Sequence, residues 1–241
     1  MYTAALLYLL GDFVIMAKHK KGKDGIMDIY IIRHGETEWN TLRKLQGRAD
    51  TELNEVGIRL AEITAEALAD IPFDVAYTSP LKRAYKTAEI IVGDRDIPLI
   101  ADERIQEVSF GEYEGLGCSK ENYEIPDPEF EYFFQAPEKY VAKNGTESIE
   151  DLCSRTTEFL REITNNPELE EKTVLIATHG AALKGLLSSI GNKTKKDFWG
   201  CGVHRNCAVT KLESHHGMIN LIFENRIFYP EHMGTKPTFA K

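Results

Sequence analysis
Residues 29–32 (Ile-Tyr-Ile-Ile) and 173–178 (Thr-Val-Leu-Ile-Ala-Thr) are almost unbroken apolar runs rich in β-branched side chains, and 74–79 (Asp-Val-Ala-Tyr-Thr-Ser) has the same character. A strand buried on both faces reads this way, whereas a strand with one wet face alternates. Between the runs, apolar positions recur every three or four residues. Val56, Leu60, Ile63 and Ala67 form one stripe, with Asn54 placed to cap it, and Leu81, Tyr85, Ala88 and Ile91 form a second, entered through Ser79-Pro80. Ile149, Leu152, Thr156, Phe159 and Ile163 form a third behind Ser148, and Ala182, Leu183, Leu186, Leu187 and Ile190 form a fourth. These stripes predict amphipathic helices. Strands alternating with helices predict an α/β protein, a three-layer α/β/α sandwich around a mostly parallel sheet. Near the C-terminus, 207–213 and 218–224 flank Ser214-His215-His216-Gly217, which predicts a hairpin on the sheet edge.

Residues 116–146 break this rhythm: they hold three prolines, and their aromatics (Tyr123, Phe130, Tyr132, Phe133, Phe134, Tyr140) follow no clean period. Two readings stand, a surface excursion with its own small core and a lid-like insertion over a site. The stretch 27–241 reads as one domain carrying that insertion. Residues 1–26 read as an extension outside the fold. Their apolar run, 2–17, has no basic segment before it and is interrupted by Asp12, and Met27 opens a stretch that suits a domain starting on a strand. The rival reading is a short anchor followed by the basic cluster KHKKGKDG. The run is short for a membrane span, so stable membrane insertion is not expected, while an exposed apolar segment at 4–15 would favour a homodimer.

The formal net charge of −9 argues against nucleic acid and anionic membranes as partners. Any phosphate chemistry must therefore come from a local concentration of Arg and His. Cys118, Cys153, Cys201 and Cys207 have no metal-ligand or C-x-x-C spacing, so they read as free thiols in a reducing, cytoplasmic compartment.

In a doubly wound sheet, ligands bind beyond the C-terminal ends of the strands. Three of the predicted strands end there on polar groups: Ile32 runs into Arg33-His34-Gly35, Thr78 into Ser79-Pro80 and on to Arg83, and Thr178 into His179-Gly180. If the strands are neighbours, two arginines and two histidines meet at one rim, near helix N-termini that favour an anion. Arginine's planar fork grips two oxygens of a phosphoryl group.

Those segments, "RHGETEWN" with Gln46-Gly47, "SPLKRAYKTA", "IQEVSFGEYEG" and "ATHG", in this order, resemble the histidine phosphatase superfamily, which contains cofactor-dependent phosphoglycerate mutases and many small phosphatases. The resemblance covers about residues 27–228 and implies a phosphoglycerate mutase-like fold. It also implies a metal-independent phosphatase, a phosphoric monoester hydrolase working without cofactor. His34 would be the nucleophile, forming a phosphohistidine, with its other ring nitrogen held by a nearby carbonyl. Arg33, Arg83 and His179 would surround the equatorial oxygens, His179 in its protonated form. Glu107 would be the general acid and base. Thr37, Asn40, Gln46, Gly47 and the Gly180 backbone would bind substrate.

Blander readings stand beside these. Arg33 and Arg83 could be surface ion-pair partners, Glu107 lies in an acidic stretch with Glu103, Glu112 and Glu114, and Tyr113 reads as structural. His204, His215 and His216 have no motif around them and read as surface residues. Mutases of the superfamily carry paired arginines in a longer insertion, but 116–146 contains no arginine, which favours hydrolysis of a small-molecule phosphate ester. The aromatic, acidic insertion would suit a neutral or partly apolar leaving group better than a carboxylated one. The alternatives are a cofactor-dependent phosphoglycerate mutase and a non-catalytic module that binds a phosphorylated ligand.

Overall fold
The structure is a computed structural model that describes residues 25–191 and 193–237. The extension expected at 1–26, including the apolar segment at 4–15, lies outside the described residues up to position 24. Six strands form one sheet: β1 (Ile26–Arg33), β2 (Val75–Thr78), β3 (Leu99–Ala101), β6 (Thr173–Thr178), β7 (Val209–His215) and β8 (Met218–Arg226). Their spatial order is β3-β2-β6-β1-β7-β8. β1, β6, β2 and β3 run parallel, while β7 and β8 are antiparallel additions next to β1. Two further strands, β4 (Cys118–Ser119) and β5 (Asn122–Tyr123), form a small hairpin in the insertion.

The helices are α1 (Glu38–Thr41), α2 (Glu55–Ala67), α3 (Lys82–Val92), α4 (Tyr132–Gln135), α5 (Ile149–Thr164) and α6 (Gly180–Ser188). Alternation along the central strands builds the three layers. Tyr30 and Ile32 of β1, with Leu175 and Ala177 of β6, pack with Leu60 and Ala61 of α2 and Ala88 and Ile91 of α3. Ile29 and Ile31, with Val174 and Ile176, pack on the other face with Phe159 and Ile163 of α5 and Leu183 and Leu186 of α6. Period-two alternation sends both sets of apolar side chains into cores, which is why the runs look continuous in sequence.

The caps fall where the side chains allow. The Asn54 side chain accepts the Gly57 N–H at 2.7 Å, and Ser148 accepts the Asp151 N–H at 3.0 Å, satisfying first-turn donors. α3 starts at Lys82 without a side-chain cap, so Pro80 precedes the helix and does not open it. Val56 of the first stripe is 40% exposed, and Gly57, Ala61 and Thr64 are buried in its stead. Close approach explains the shift: a Cβ at Gly57 would stand 2.1 Å from the Glu36 carbonyl oxygen, so only glycine lets α2 touch the segment after β1. The hairpin turns on His216 and Gly217 alone, both at positive φ, as a two-residue hairpin turn requires. Ser214 and His215 therefore lie in β7. β3 has no sequence signal of its own, being only three residues long.

The insertion has a core, and the core joins the main body. Phe130, Phe133 and Tyr140 are buried with Phe110, Trp199, Ile149 and Leu152. The Phe133 carbonyl accepts the Trp199 indole N–H at 2.6 Å. Among the described residues no helix is long and apolar enough to cross a membrane.

Candidate active site
The three strands that end on polar residues are neighbours, β2-β6-β1. Their ends are in register, with Arg33 beside Thr178 and Ala177 beside Thr78. The His34 N–H donates to the Thr178 carbonyl at 2.9 Å, continuing the β1–β6 ladder one residue beyond the strands. His34 Nδ1 lies 2.6 Å from the Gly35 carbonyl oxygen. That oxygen can only accept, so Nδ1 carries the proton and Nε2 keeps the lone pair. The His34 and His179 rings are 5.2 Å apart between centroids.

Both arginines are buried and tethered by carbonyls. One guanidinium nitrogen of Arg33 donates to the His204 carbonyl. Arg83, fully buried, donates to the Ala49 and Gly47 carbonyls, each at 2.7 Å. The surface ion-pair reading of these arginines fails on burial. In each of them Nε has no partner among the described residues, and neither does Nδ1 of His179. Ser79 Oγ stands 2.7 Å from the other His179 nitrogen, Nε2.

Burial, followed by the Arg83 and Arg33 charges, holds His34 well below the ordinary histidine range. Burial, then Arg83, His34 and Arg33, does the same for His179. Desolvation and two guanidinium neighbours disfavour a third positive charge there in the protein alone, and the protonated His179 expected from the resemblance belongs to the state with a dianion bound. Arg83 is lowered to about 10 by burial, still far above neutral pH, so its charge persists.

Glu107 leaves the acidic stretch around it and is buried. Its Oε1 accepts the N–H groups of Val108, Ala181 and Ala182 at 3.0, 3.1 and 3.0 Å. The N-terminus of α6 thus receives this carboxylate, and the Gly180 N–H is not used by it. A Cβ built on Gly180 would lie 3.6 Å from Glu107 Oε2 and 3.8 Å from Arg33 Nε, so these atoms border one point of the cleft. Arg155 of α5 fixes the Glu107 loop. It donates to the Arg104, Gln106 and Glu107 carbonyls and forms a two-pronged pair with Glu147 at 2.6 and 2.8 Å.

A cleft of about 110 Å³ brings together Arg33, His34, Asn40, Gln46, Gly47, Arg83, Glu107 and Gly180. Two expected members are not among the residues that line it. His179 is wholly buried, and Thr37, also fully buried, caps α1 by accepting the Asn40 N–H at 3.2 Å and donates to Gln46 Oε1 at 3.0 Å. Thr37 thus orients Asn40 and Gln46.

Sequence reasoning missed several neighbours. His204, expected on the surface, is fully buried; its ring Nε2 lies 2.8 Å from Glu224, and its carbonyl accepts from Arg33. His216 is exposed and His215 half-buried. Tyr113 is buried and its hydroxyl accepts from Asn144 at 2.5 Å, a structural role. Asn206 donates from Nδ2 to the His34 and Gly35 carbonyls at 3.0 and 3.2 Å, fixing the acceptor that sets the His34 tautomer. Asn206→Ala is expected to lower kcat by about 10- to 100-fold with the fold kept, since small misplacement of a reacting group costs this much; steady-state kinetics beside a circular dichroism spectrum check it. No motif flags Asn206 or Arg155, because both act through backbone carbonyls.

Among the described residues, Cys201, His204 and Glu224 offer ligand atoms within 4.8 Å of one another. The Lys184 ammonium already sits among them, 2.7 Å from Glu224 and 3.1 Å from His204. Burial holds His204 down at about 4. A histidine kept neutral in the folded state and protonated in the unfolded state makes stability fall as pH drops below the unfolded value near 6.5. Between pH 7 and 5, His204 alone is expected to remove about 2 kcal/mol, with His34 and His179 acting in the same direction. Urea midpoints at the two pH values check this, and a midpoint that does not fall contradicts neutral burial.

Residues 29–226 match the histidine phosphatase superfamily, branch 1. The chain belongs to that superfamily. It is 35% identical over 162 residues to the uncharacterized phosphatase PhoE of Bacillus subtilis, a match covering 67% of this chain and 76% of that one. Among solved structures, Bacillus stearothermophilus YhfR is similar with a TM-score of 0.77 at 34% identity, covering 83% of this chain and 98% of that one. A phosphoserine phosphatase mutant from Entamoeba histolytica, in complex with phosphoserine, has a TM-score of 0.71 at 30% identity, covering 83% and 96%. Other relatives bear the name phosphoglycerate mutase. The chain is thus an enzyme of the histidine phosphatase superfamily with the phosphoglycerate mutase-like α/β fold.

Proposed function
We propose that this superfamily member hydrolyses small-molecule phosphate monoesters through a phosphohistidine on His34. The observation that carries the reading is a set of three buried nitrogens without partners among the described residues, Arg33 Nε, Arg83 Nε and His179 Nδ1, near a histidine whose Nε2 is left bare by the Nδ1 bond to Gly35. Buried polar atoms are normally satisfied, and a phosphoryl group brings several oxygens to one point. His34 Nε2 attacks phosphorus, and the P–O ester bond breaks. The guanidinium groups stabilise charge fixed in position, which is most of what phosphoryl transfer needs. Glu107 gives its proton to the departing alkoxide and then takes one from the water that attacks the phosphohistidine. His179, its ring centroid 5.2 Å from that of His34, gains basicity when a dianion arrives and so strengthens the hold on the bound phosphate. Asn40, Gln46, Gly47 and the Gly180 N–H bind the phosphate end of the substrate.

Hydrolysis is favoured over transfer to a second hydroxyl because the only arginines lining the cleft among the described residues are Arg33 and Arg83, and the insertion brings none. The chemistry needs no metal, since cationic side chains take that role. Four free thiols support a reducing, cytoplasmic setting. The test is release of inorganic phosphate from p-nitrophenyl phosphate and a panel of sugar, nucleotide and aryl phosphates, in EDTA. Turnover in EDTA supports the reading; turnover abolished by EDTA, or 3-phosphoglycerate isomerised faster than any ester is hydrolysed, overturns it.

A further inference from the structure
The outer part of the cleft has chemistry that phosphate binding does not use. Two lysines are among the residues that line the cleft, Lys44 after α1 and Lys236 in the C-terminal segment. Lys236 is held there by the fold. The Arg43 guanidinium donates to the Lys236 carbonyl at 2.7 Å, the Thr235 N–H donates to Glu36, and Arg205 donates to the Glu231 and Met233 carbonyls. Further back, the Tyr229 hydroxyl donates to the Asn206 carbonyl. The segment is therefore tied both to the residue after His34-Gly35 and to Asn206, which holds their carbonyls. Lys44 is placed by the Trp39 carbonyl, which accepts its N–H at 2.9 Å, and by a bridge to Gly117 of the insertion.

Neither ammonium pairs with an acidic side chain among the described residues, although the chain carries a net charge of −9. Lys82, Lys86, Lys143, Lys172, Lys184 and Lys195 all have such partners. Two unpaired lysines lining one cleft both attract an anion bound there. The apolar wall beside them, Phe110, Phe134 and Trp199, makes water a poorer screen. The insertion considered alone suits a neutral leaving group, but its acidic side chains are absent from the cleft wall and the two lysines come from outside it.

We propose that Lys44 and Lys236 form a second anion subsite at the mouth of the cleft, so that the preferred substrate is a phosphate monoester whose leaving group carries its own negative group. This rests on the phosphatase reading above. Lysine is a point charge without arginine's fork, so a carboxylate and a second phosphate are alike to it, and the experiment separates them. Initial rates are measured on matched pairs: O-phosphoserine against O-phosphoethanolamine, 3-phosphoglycerate against glycerol 3-phosphate, and fructose 1,6-bisphosphate against fructose 6-phosphate.

Wild type is expected to favour the more anionic member of at least one pair in kcat/KM, mainly through KM, with the preference shrinking as salt rises. Lys44→Ala and Lys236→Ala should each cut that preference by about three- to fivefold, the effect of one half-exposed charge pair, and Lys236→Glu should reverse it. The exposed Lys196 serves as control, and Lys196→Ala should leave the preference unchanged. Hydrolysis of p-nitrophenyl phosphate without any anionic preference, or a preference that survives both lysine substitutions, overturns the subsite and leaves the phosphatase reading standing. A wild-type protein that hydrolyses no phosphate ester overturns both.

Discussion
His34→Ala is expected to lower kcat/KM for a phosphate monoester by about 10⁴-fold or more, because removing a covalent nucleophile leaves only binding and electrostatics. The geometry makes no other side chain a ready substitute. His179 is one ring away but fully buried, with its Nε2 beside the Ser79 hydroxyl. The substitution should not unfold the chain. His34 lines the cleft and its N–H ladder bond to Thr178 belongs to the backbone, so alanine keeps it. Phosphate release and a thermal unfolding curve, measured on the same preparation, separate loss of chemistry from loss of fold. Residual activity within about 100-fold of wild type would contradict a nucleophilic role.

The second large effect concerns Glu107→Gln. Glutamine can place its oxygen where Oε1 stands and keep the Val108, Ala181 and Ala182 N–H bonds. Its amide nitrogen then takes the Oε2 position, on the side bordering Gly180, and gives up only the longer 3.2 Å contact of Oε2 with the Ala181 N–H. The site keeps its shape and loses the proton. Esters with alkoxide leaving groups should slow by about 10²- to 10⁴-fold, the usual worth of general acid catalysis. p-Nitrophenolate leaves well unprotonated, so phosphorylation by its ester should slow far less. The second step still needs a base to activate water. The variant should therefore release one equivalent of p-nitrophenolate per active site in a burst and then turn over slowly. An equal loss on all leaving groups, without a burst, contradicts the assignment.

Much of the site was legible in the sequence because strand ends announce it. The runs at 29–32, 74–79 and 173–178 needed only to be neighbours for Arg33, His34, Arg83 and His179 to meet, and the order β2-β6-β1 makes them so. Glu107 was legible only through the family resemblance, since nothing local distinguishes it from Glu103, Glu112 and Glu114. Its distinction is tertiary: the first turn of α6 supplies the N–H groups that hold it. His204 and Asn206 were illegible for a related reason. Asn206 holds the His34 and Gly35 carbonyls and His204 offers its own carbonyl to Arg33, and a pattern of side chains carries no record of which backbone group lies nearby. Lys236 lies some 200 residues from His34 in sequence and reaches the cleft only because the C-terminal segment is tied back across the molecule. The stripe on α2 holds at Leu60 and Ile63 but not at Val56, because the missing side chain of Gly57 is what lets the helix touch Glu36.

The central claim is the covalent intermediate. Wild-type protein mixed with substrate, quenched in alkali within the first turnovers and digested for mass spectrometry should carry one phosphoryl group on His34, absent from His34→Ala and accumulating in Glu107→Gln. Turnover with no phosphoryl group on His34 at any time, or with the group on another residue, would contradict the account.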